Sequence, residues 1–573
     1  MIQWQDLHHS ELTVQSLYAL LKLRCEVFVV EQTCPYQDID GDDLVGENRH
    51  ILGWRDNELV AYARILKSEE DFDPVVIGRV IISGRARGEK LGYQLMEKAL
   101  DACQKQWPDK ALYLGAQAHL QSFYGHFGFT PVTDIYEQGE VRVHSIFLAL
   151  QSLRTQLAQA LPATPGLRHF DVSFPLNDAF DPLAWLGVQR CYPQFYWQQR
   201  SGDEELAALG SLAQFDSLAS ASRFLHTHDV ANDTRICGLN AFNPAQGKLF
   251  LPRLLWRRSA GVATLRLQLW SETSLREDGR EALNFVDKLR DAAPIRPLSV
   301  QIVKETHHPE KPEWLALIRQ ATDTLARGDF EKVVLARATD VQCQQPVNAI
   351  ALMAASRALN LNCYHFCMVF DASNAFLGST PERLWRRRGT LLRTEALAGT
   401  VASHSDDKQA QRLGDWLMND DKNQRENMLV VEDICQRLQH HTRTLEILPA
   451  QVLRLRKVQH LRRCIWTELK QPDDEQCLHI LQPTAAVAGL PRQAAREFIA
   501  KVEPFDREWY AGSAGYLSRE QSEFCVALRS ARIHDAALRL YAGAGIVSGS
   551  DPEQEWQEIE NKAAGLRSLL LRD

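Results

Sequence analysis

Two acidic stretches in the last third of the chain hold the residues best suited to chemistry. In Ser550-Asp-Pro-Glu-Gln-Glu-Trp-Gln-Glu-Ile-Glu-Asn-Lys562, the residues Glu555, Glu558 and Lys562 are spaced i, i+3, i+7 and so share one helical face. In the second stretch, Asp420 to Asp433, the apolar positions Met428 and Leu429, with Ile434 and Leu438 beyond, would leave Asn423 and Glu426 together on a different face. One acidic helix alone reads as a solvated surface. Two helices that each offer a carboxylate can hold one hard cation, and Mg²⁺ prefers a few carboxylates plus water and substrate oxygens to a complete protein cage.

The elements that would carry these groups are legible beside them. A strand runs from Arg539 through Gly543 and Gly545 towards Gly549, and a helix follows. Ser550 or Asp551 can cap that helix, Pro552 suits its first turn, and its acidic residues favour the positive end. The GxGxxxG spacing does not make a dinucleotide cradle, because Ser548 stands where that motif has glycine or alanine. From about residue 166 onward strands and helices alternate without a solenoid repeat, as one large α+β or α/β unit.

The first 150 residues have another texture. Leu59–Ile65 and Val75–Ile82 read as neighbouring β-branched strands, followed by a glycine-punctuated turn and a helix from Gly92 to Leu100. A strand at Ala111–Gly115, a helix carrying Ser122–His126 and a last strand ending at Ile146-Phe-Leu148 complete a small α/β domain. Gln151–Leu161 reads as a short helix closed by Pro162, with no flexible or charged linker at the join. The expected domains are therefore 1–150 and 151–573. A fusion of two reading frames would look like this, and would not by itself couple their activities.

Composition excludes several classes. At 573 residues, 45% hydrophobic and 24% charged, the chain is ordinary globular protein too long for one core. A net charge of −8 argues against a general nucleic-acid binder. The basic run from Arg454 to Lys457 and on to Arg462-Arg463 reads as a solvated helix face. No apolar stretch approaches the roughly 20 residues of a membrane span, and Met1–Asp6 has neither the basic start nor the apolar core of a signal peptide. The 12 cysteines are scattered without a CxxC pair, which makes zinc improbable and fits reduced thiols in the cytoplasm.

Ordered motifs then carry a resemblance. Phe330-Glu-Lys-Val-Val-Leu-Ala-Arg337, Phe376-Leu-Gly-Ser-Thr-Pro-Glu-Arg-Leu384, Arg393-Thr-Glu-Ala-Leu-Ala-Gly-Thr400, Arg425-Glu-Asn-Met-Leu429 and Tyr541-Ala-Gly-Ala-Gly-Ile546, with the terminal acidic helix, resemble the chorismate-utilising enzymes. These include isochorismate, salicylate and anthranilate synthases, and the fold implied is the large chorismate-binding scaffold shared with anthranilate synthase component I. The resemblance implies that Lys332 activates water for attack at ring carbon 2 and that Glu382 protonates the hydroxyl leaving carbon 4. It implies Mg²⁺ on Glu426 and Glu558, with Asn423 and Glu555 orienting those ligands. Tyr510 and Arg529 would hold the enolpyruvyl carboxylate, Gly399 and Thr400 would line the ring pocket, and Lys562 would add positive charge.

Family members that use ammonia carry glutamine at the position of Lys332, so a lysine implies water as nucleophile. No amidotransferase domain precedes the segment. Isochorismate synthase of the menaquinone pathway is the reading the resemblance favours; salicylate synthase, or an isochorismate synthase of a siderophore pathway, stays open.

The N-terminal domain resembles the GNAT acyltransferases. Val80-Ile-Ile82, then Arg87-Gly-Glu-Lys-Leu-Gly92 and a helix, match their coenzyme A loop, in which backbone N–H groups and a helix N-terminus cradle a pyrophosphate. Val80, Ile82, Arg87, Gly88, Lys90 and Gly92 are the acetyl-CoA-binding positions so implied, although Lys90 stands where the family has glycine. In Phe123-Tyr-Gly-His-Phe-Gly-Phe129, Tyr124 is the implied acid for the leaving thiolate. Glu26 and His144 are further acid-base candidates. The acceptor would be an amine whose identity the residues do not reveal, and a module that binds acetyl-CoA without turnover is the alternative.

Overall fold

The computed structural model describes residues 2–571 apart from 32–37, 68–73, 109, 116–119, 131–139, 144, 159–160, 176–179, 260–261 and 291. The N-terminal domain is a seven-stranded sheet. Gln3–His8, Arg49–Arg55, Glu58–Leu66 and Val75–Ile82 pair antiparallel in chain order. Leu112–Gly115 then runs parallel to Val75–Ile82, because the helix Leu91–Gln106 makes the crossover between them. That helix buries Leu95, Met96, Ala99 and Cys103 at helical spacing against the sheet.

In the large domain twenty strands form one hydrogen-bonded system that closes on itself. Its described pairings are antiparallel. Central strands are buried on both faces, which is why they read as unbroken apolar runs. Successive side chains point to opposite sides. Phe195, Trp197, Phe366 and Met368 enter one apolar cluster, and Tyr196, Cys367 and Val369 enter another. The helices Asp421–Leu438 and Asp474–Leu481 cover the first cluster; Leu275–Asp287 and Ala349–Leu359 cover the second.

Three expectations need correction. The segment expected as a strand ending at Leu148, followed by a helix from Gln151, is one helix, Ser145–Leu157. Ala149, Leu150, Leu153 and Leu157 bury at helical spacing in the second cluster of the large domain, and that burial outweighs the strand preference of Ile-Phe-Leu. The basic run at 454–463 is not a helix face. It belongs to the strands Gln451–Arg454 and Val458–Leu469 and the turn between them, with Leu453 and Leu455 buried and Arg454 between them half-exposed, while Arg463 bonds Asn427 and Gln424 of the helix Asp421–Leu438. On Asp421–Leu438 the buried stripe is Asn423, Asn427, Val430, Val431, Ile434 and Leu438, so Asn423 lies on the core face rather than opposite it.

Candidate active site

The antiparallel strands Lys332–Cys343 and Ala537–Ile546 set Val334 opposite Gly545. This pairing brings the glycine strand beside Lys332 and under the helix Asp421–Leu438. A Cβ on Gly545 would sit 2.4 Å from Glu426 Oε1 and 3.1 Å from Lys332 Cε, so only glycine admits both side chains there. One on Gly543 would meet the Tyr510 hydroxyl at 2.6 Å. Tyr510 is held against Tyr541 by a near-parallel stack with centroids 5.0 Å apart.

Glu382, Gly399, Thr400, Glu426, Tyr510, Arg529 and Lys562 line one cleft with about 630 Å³ of atom-free space, partly open to solvent. Lys332 is not on its wall. It is fully buried, and its Nζ is 2.9 Å from Glu426 Oε1. Glu426, Thr400 and Gly545 also border a second depression, which adds Asn423, Glu555 and Glu558.

Glu382 follows the strand Asn374–Thr380 and is 2% exposed. Burial, with the buried Glu395 as the next cause, pushes its carboxyl up to about 8 against the pull of Lys332 and Lys562. Its Oε1 has no hydrogen-bond partner among the described residues. Gly399 is held at φ +90°, and a Cβ there would press on Asn423. Asn423 Oδ1 in turn accepts the Thr400 N–H at 3.0 Å.

Two residues that sequence reasoning did not single out complete the wall. His460 bonds Thr400 Oγ1 through Nδ1 at 3.0 Å and Arg529 through Nε2. Burial and the nearby Arg529 keep it neutral, and burial also lowers the Arg529 pKa. No local pattern marks His460. Lys422, one turn before Glu426, pairs with Glu555 at 3.2 Å.

The carboxylates fit a hard divalent cation. Glu426, Glu555 and Glu558 face one depression with oxygen donors only. Burial, then the Glu558 charge, raises the Glu555 pKa against the pull of Lys422, with Glu426 adding to the rise because like charges crowd one another. Each is tied to a lysine of the chain: Lys332 for Glu426, Lys422 for Glu555 and, at 2.6 Å, Lys562 for Glu558. Among the described residues no group of three or more His, Cys, Asp or Glu side chains is gathered closely enough to hold a metal ion, so a cation here would rest on two carboxylates with water and substrate oxygens.

In the N-terminal domain, Val75–Ile82 pairs with Leu112–Gly115 only over Val75–Ile77, so Val80 and Ile82 lie beyond that pairing. Gly88 and Lys90 both have positive φ, +86° and +58°, so Lys90 takes the left-handed conformation that glycine adopts at least cost. The helix begins at Leu91. A Cβ on Gly92 would stand 3.3 Å from the Phe123 ring, so this glycine lets the next helix close in and carries Tyr124 with it. Tyr124 is buried, and burial pushes its phenol up to about 12. Arg87 is paired with Glu31 and Glu26 with Lys22, while His144 lies outside the described residues.

Comparison with known proteins accords with both halves. Residues 239–571 match the family model described as chorismate binding enzyme, and residues 15–148 that of the acetyltransferase (GNAT) domain. Isochorismate synthase MenF of Escherichia coli (strain K12) is 66% identical over 428 residues, 75% of this chain and 99% of that one. Protein ElaA of the same organism is 72% identical over 138 residues, 24% of this chain and 90% of that one. The solved structure of MenF, the menaquinone-specific isochorismate synthase from E. coli, aligns at a TM-score of 0.73 and 66% identity, covering 74% of this chain and 100% of that one.

Proposed function

Because the chain belongs to the chorismate-binding enzymes, with a GNAT acetyltransferase domain ahead of that part, we propose that it converts chorismate to isochorismate in the cleft walled by Glu382, Glu426 and Arg529. The observation that carries this reading is a buried acid on the cleft wall with a buried lysine close behind that wall. Glu382 lines the cleft with its carboxyl pushed up to about 8, and Lys332 lies behind Glu426, to which it is bonded. Water adds at ring carbon 2 while the double bonds shift and hydroxide leaves carbon 4.

Lys332 takes the proton of the attacking water; to do so its amine must first give up the proton it shares with Glu426 and turn its freed lone pair to that water. Glu382 gives its proton to the departing hydroxyl, which its raised pKa suits. Arg529, half-buried and facing the neutral His460 without a described carboxylate partner, is left to grip the enolpyruvyl carboxylate together with Tyr510. Glu426 and Glu558 would hold Mg²⁺, whose charge balances the ring carboxylate, with Asn423 and Glu555 steadying them. Gly399 and Thr400 present backbone to the ring, and Lys562 adds charge at the inner wall.

The 66% identity to a menaquinone-specific enzyme supports menaquinone biosynthesis in the cytoplasm as the setting. For the N-terminal domain we propose acetyl transfer from acetyl-CoA to an amine. Arg87, Gly88, Lys90 and Gly92 would form the pyrophosphate cradle beside Val80 and Ile82, with Tyr124 as acid. The two domains are assigned to 1–150 and 151–573, although the helix Ser145–Leu157 spans the join. Incubation of the full chain with chorismate and Mg²⁺, with products resolved by NMR, tests the main reading. Isochorismate is expected; salicylate with pyruvate, or no turnover, would overturn it.

A further inference from the structure

Glu382 presents an unpartnered, buried carboxyl oxygen at the cleft, so its aim depends on how its backbone is held. The peptide units on its two sides end on the same ion pair. Arg200 Nη1 donates to the Pro381 carbonyl at 2.6 Å and to Glu395 Oε1 at 2.7 Å, while Nη2 donates to Glu395 Oε2 at 3.1 Å. Glu395 Oε1 also accepts the Arg383 N–H at 2.8 Å. The Glu382 carbonyl itself accepts from Val526 N at 3.0 Å.

Glu395 is 1% exposed, and a buried ion pair is poor evidence of added stability because both charges lose their hydration. Its placement suggests another use. Lys332 on its strand, Lys562 on the terminal helix, Arg529 before the strand Ser530–His534, and Arg200 itself all face Glu382 and favour its ionised form; Glu395 opposes them. Arg200 comes from the loop after the strand Gln194–Gln198, outside the residues 239–571 that match the family model.

We propose that Arg200 and Glu395 are positioning residues that clamp Glu382: their ion pair fixes the peptide units on either side of it and sets a permanent negative charge behind its carboxyl, so that the acid stays protonated and aimed into the cleft. This rests on the reading of Glu382 as the proton donor.

The full chain tests it in two ways. The protonated-carboxyl infrared band that Glu382→Gln removes reports the acid's titration without turnover, and the pH profile of kcat reports it during turnover. In Glu395→Gln the band should vanish at a pH lower by about one unit or more, since a like charge is gone and Arg200 is left unbalanced. The alkaline limb of kcat should move with it, with KM changed by no more than about threefold and kcat at least about tenfold lower. Arg200→Lys keeps the charge but loses the two-pronged grip, so kcat should fall while the band stays in place.

Folded variants, by circular dichroism, with wild-type band position and wild-type kcat would overturn the clamp. Should Glu395→Gln not fold, Arg200→Lys decides alone: a lowered kcat upholds the clamp and a wild-type kcat sinks it. If the wild-type chain makes no isochorismate, the functional reading fails, while the infrared titration still decides whether Glu395 governs Glu382.

Discussion

Around the cleft of the large domain, Lys332, Glu382, Glu395, His460 and Glu555 are each no more than 6% exposed, and each bears on another of the set or on a close partner. In the N-terminal domain, Arg87, Gly88 and Lys90 are exposed on a loop whose useful groups are backbone N–H at a helix start. One site is made of buried titratable side chains gathered from strands, a loop and a helix, where the low dielectric magnifies every change. The other is made of main chain, where a substitution acts mainly through backbone conformation. Sensitivity to substitution should differ accordingly.

The largest effect should come from Glu382→Gln and Lys332→Ala. Each should lower kcat for isochorismate formation by about 10² to 10⁴-fold, the usual worth of a positioned acid or base, and leave chorismate binding by calorimetry nearly unchanged. Weak effects here would remove the contrast between the sites. A pair of glycines sharpens it. Gly545→Ala drives a methyl into Glu426 and should weaken Mg²⁺ binding, read by calorimetry, by about 10 to 100-fold. Gly88→Ala meets nothing within 4 Å, so only its positive φ should count, at about 1 kcal/mol in thermal unfolding and with synthase activity intact.

Dependence on pH separates the sites next. Glu382 is active protonated, and its raised pKa keeps it so until the pH climbs through about 8; kcat for chorismate should fall above that point. Tyr124, pushed up to about 12, imposes no such fall on acetyl transfer in the same range. The smallest change expected is Lys90→Gly, which supplies the glycine of the related loops. Coenzyme A affinity should shift by about fivefold or less, the worth of one exposed ion pair.

Much of the large site was legible early because its residues sit in ordered motifs and on helices with local signals. The terminal helix begins after Asp551, whose side chain accepts from Gln554 N–H, and Pro552 follows it, as the capping pattern requires. That Glu555 and Glu558 border one depression follows from their i, i+3 spacing on that helix. The strand at 458–469 was misjudged because its adjacent Arg462 and Arg463 interrupt any apolar alternation and read as a charged surface. Asn427 was missed as well: fully buried, it donates to the carbonyls of Ala396, Ala398 and Leu461, a role that an asparagine on an acidic helix does not announce.

Residue types, helix caps and the order of motifs are properties of neighbouring positions, so the chain displays them without folding. Contacts between distant segments are not. Lys332 and Glu426 are 94 residues apart, Arg200 and Glu395 are 195 apart, and neither pair has any mark in its local sequence. Strand pairing places Lys332 and Glu395, a helix brings Glu426 and a loop brings Arg200, and a slip of one residue would turn the two strand-borne side chains to the other face of their sheet. The acid and the base were therefore visible as candidates in the sequence. That Glu426 bonds Lys332, and that Arg200 and Glu395 bond the peptide units beside Glu382, was decided only by the tertiary structure.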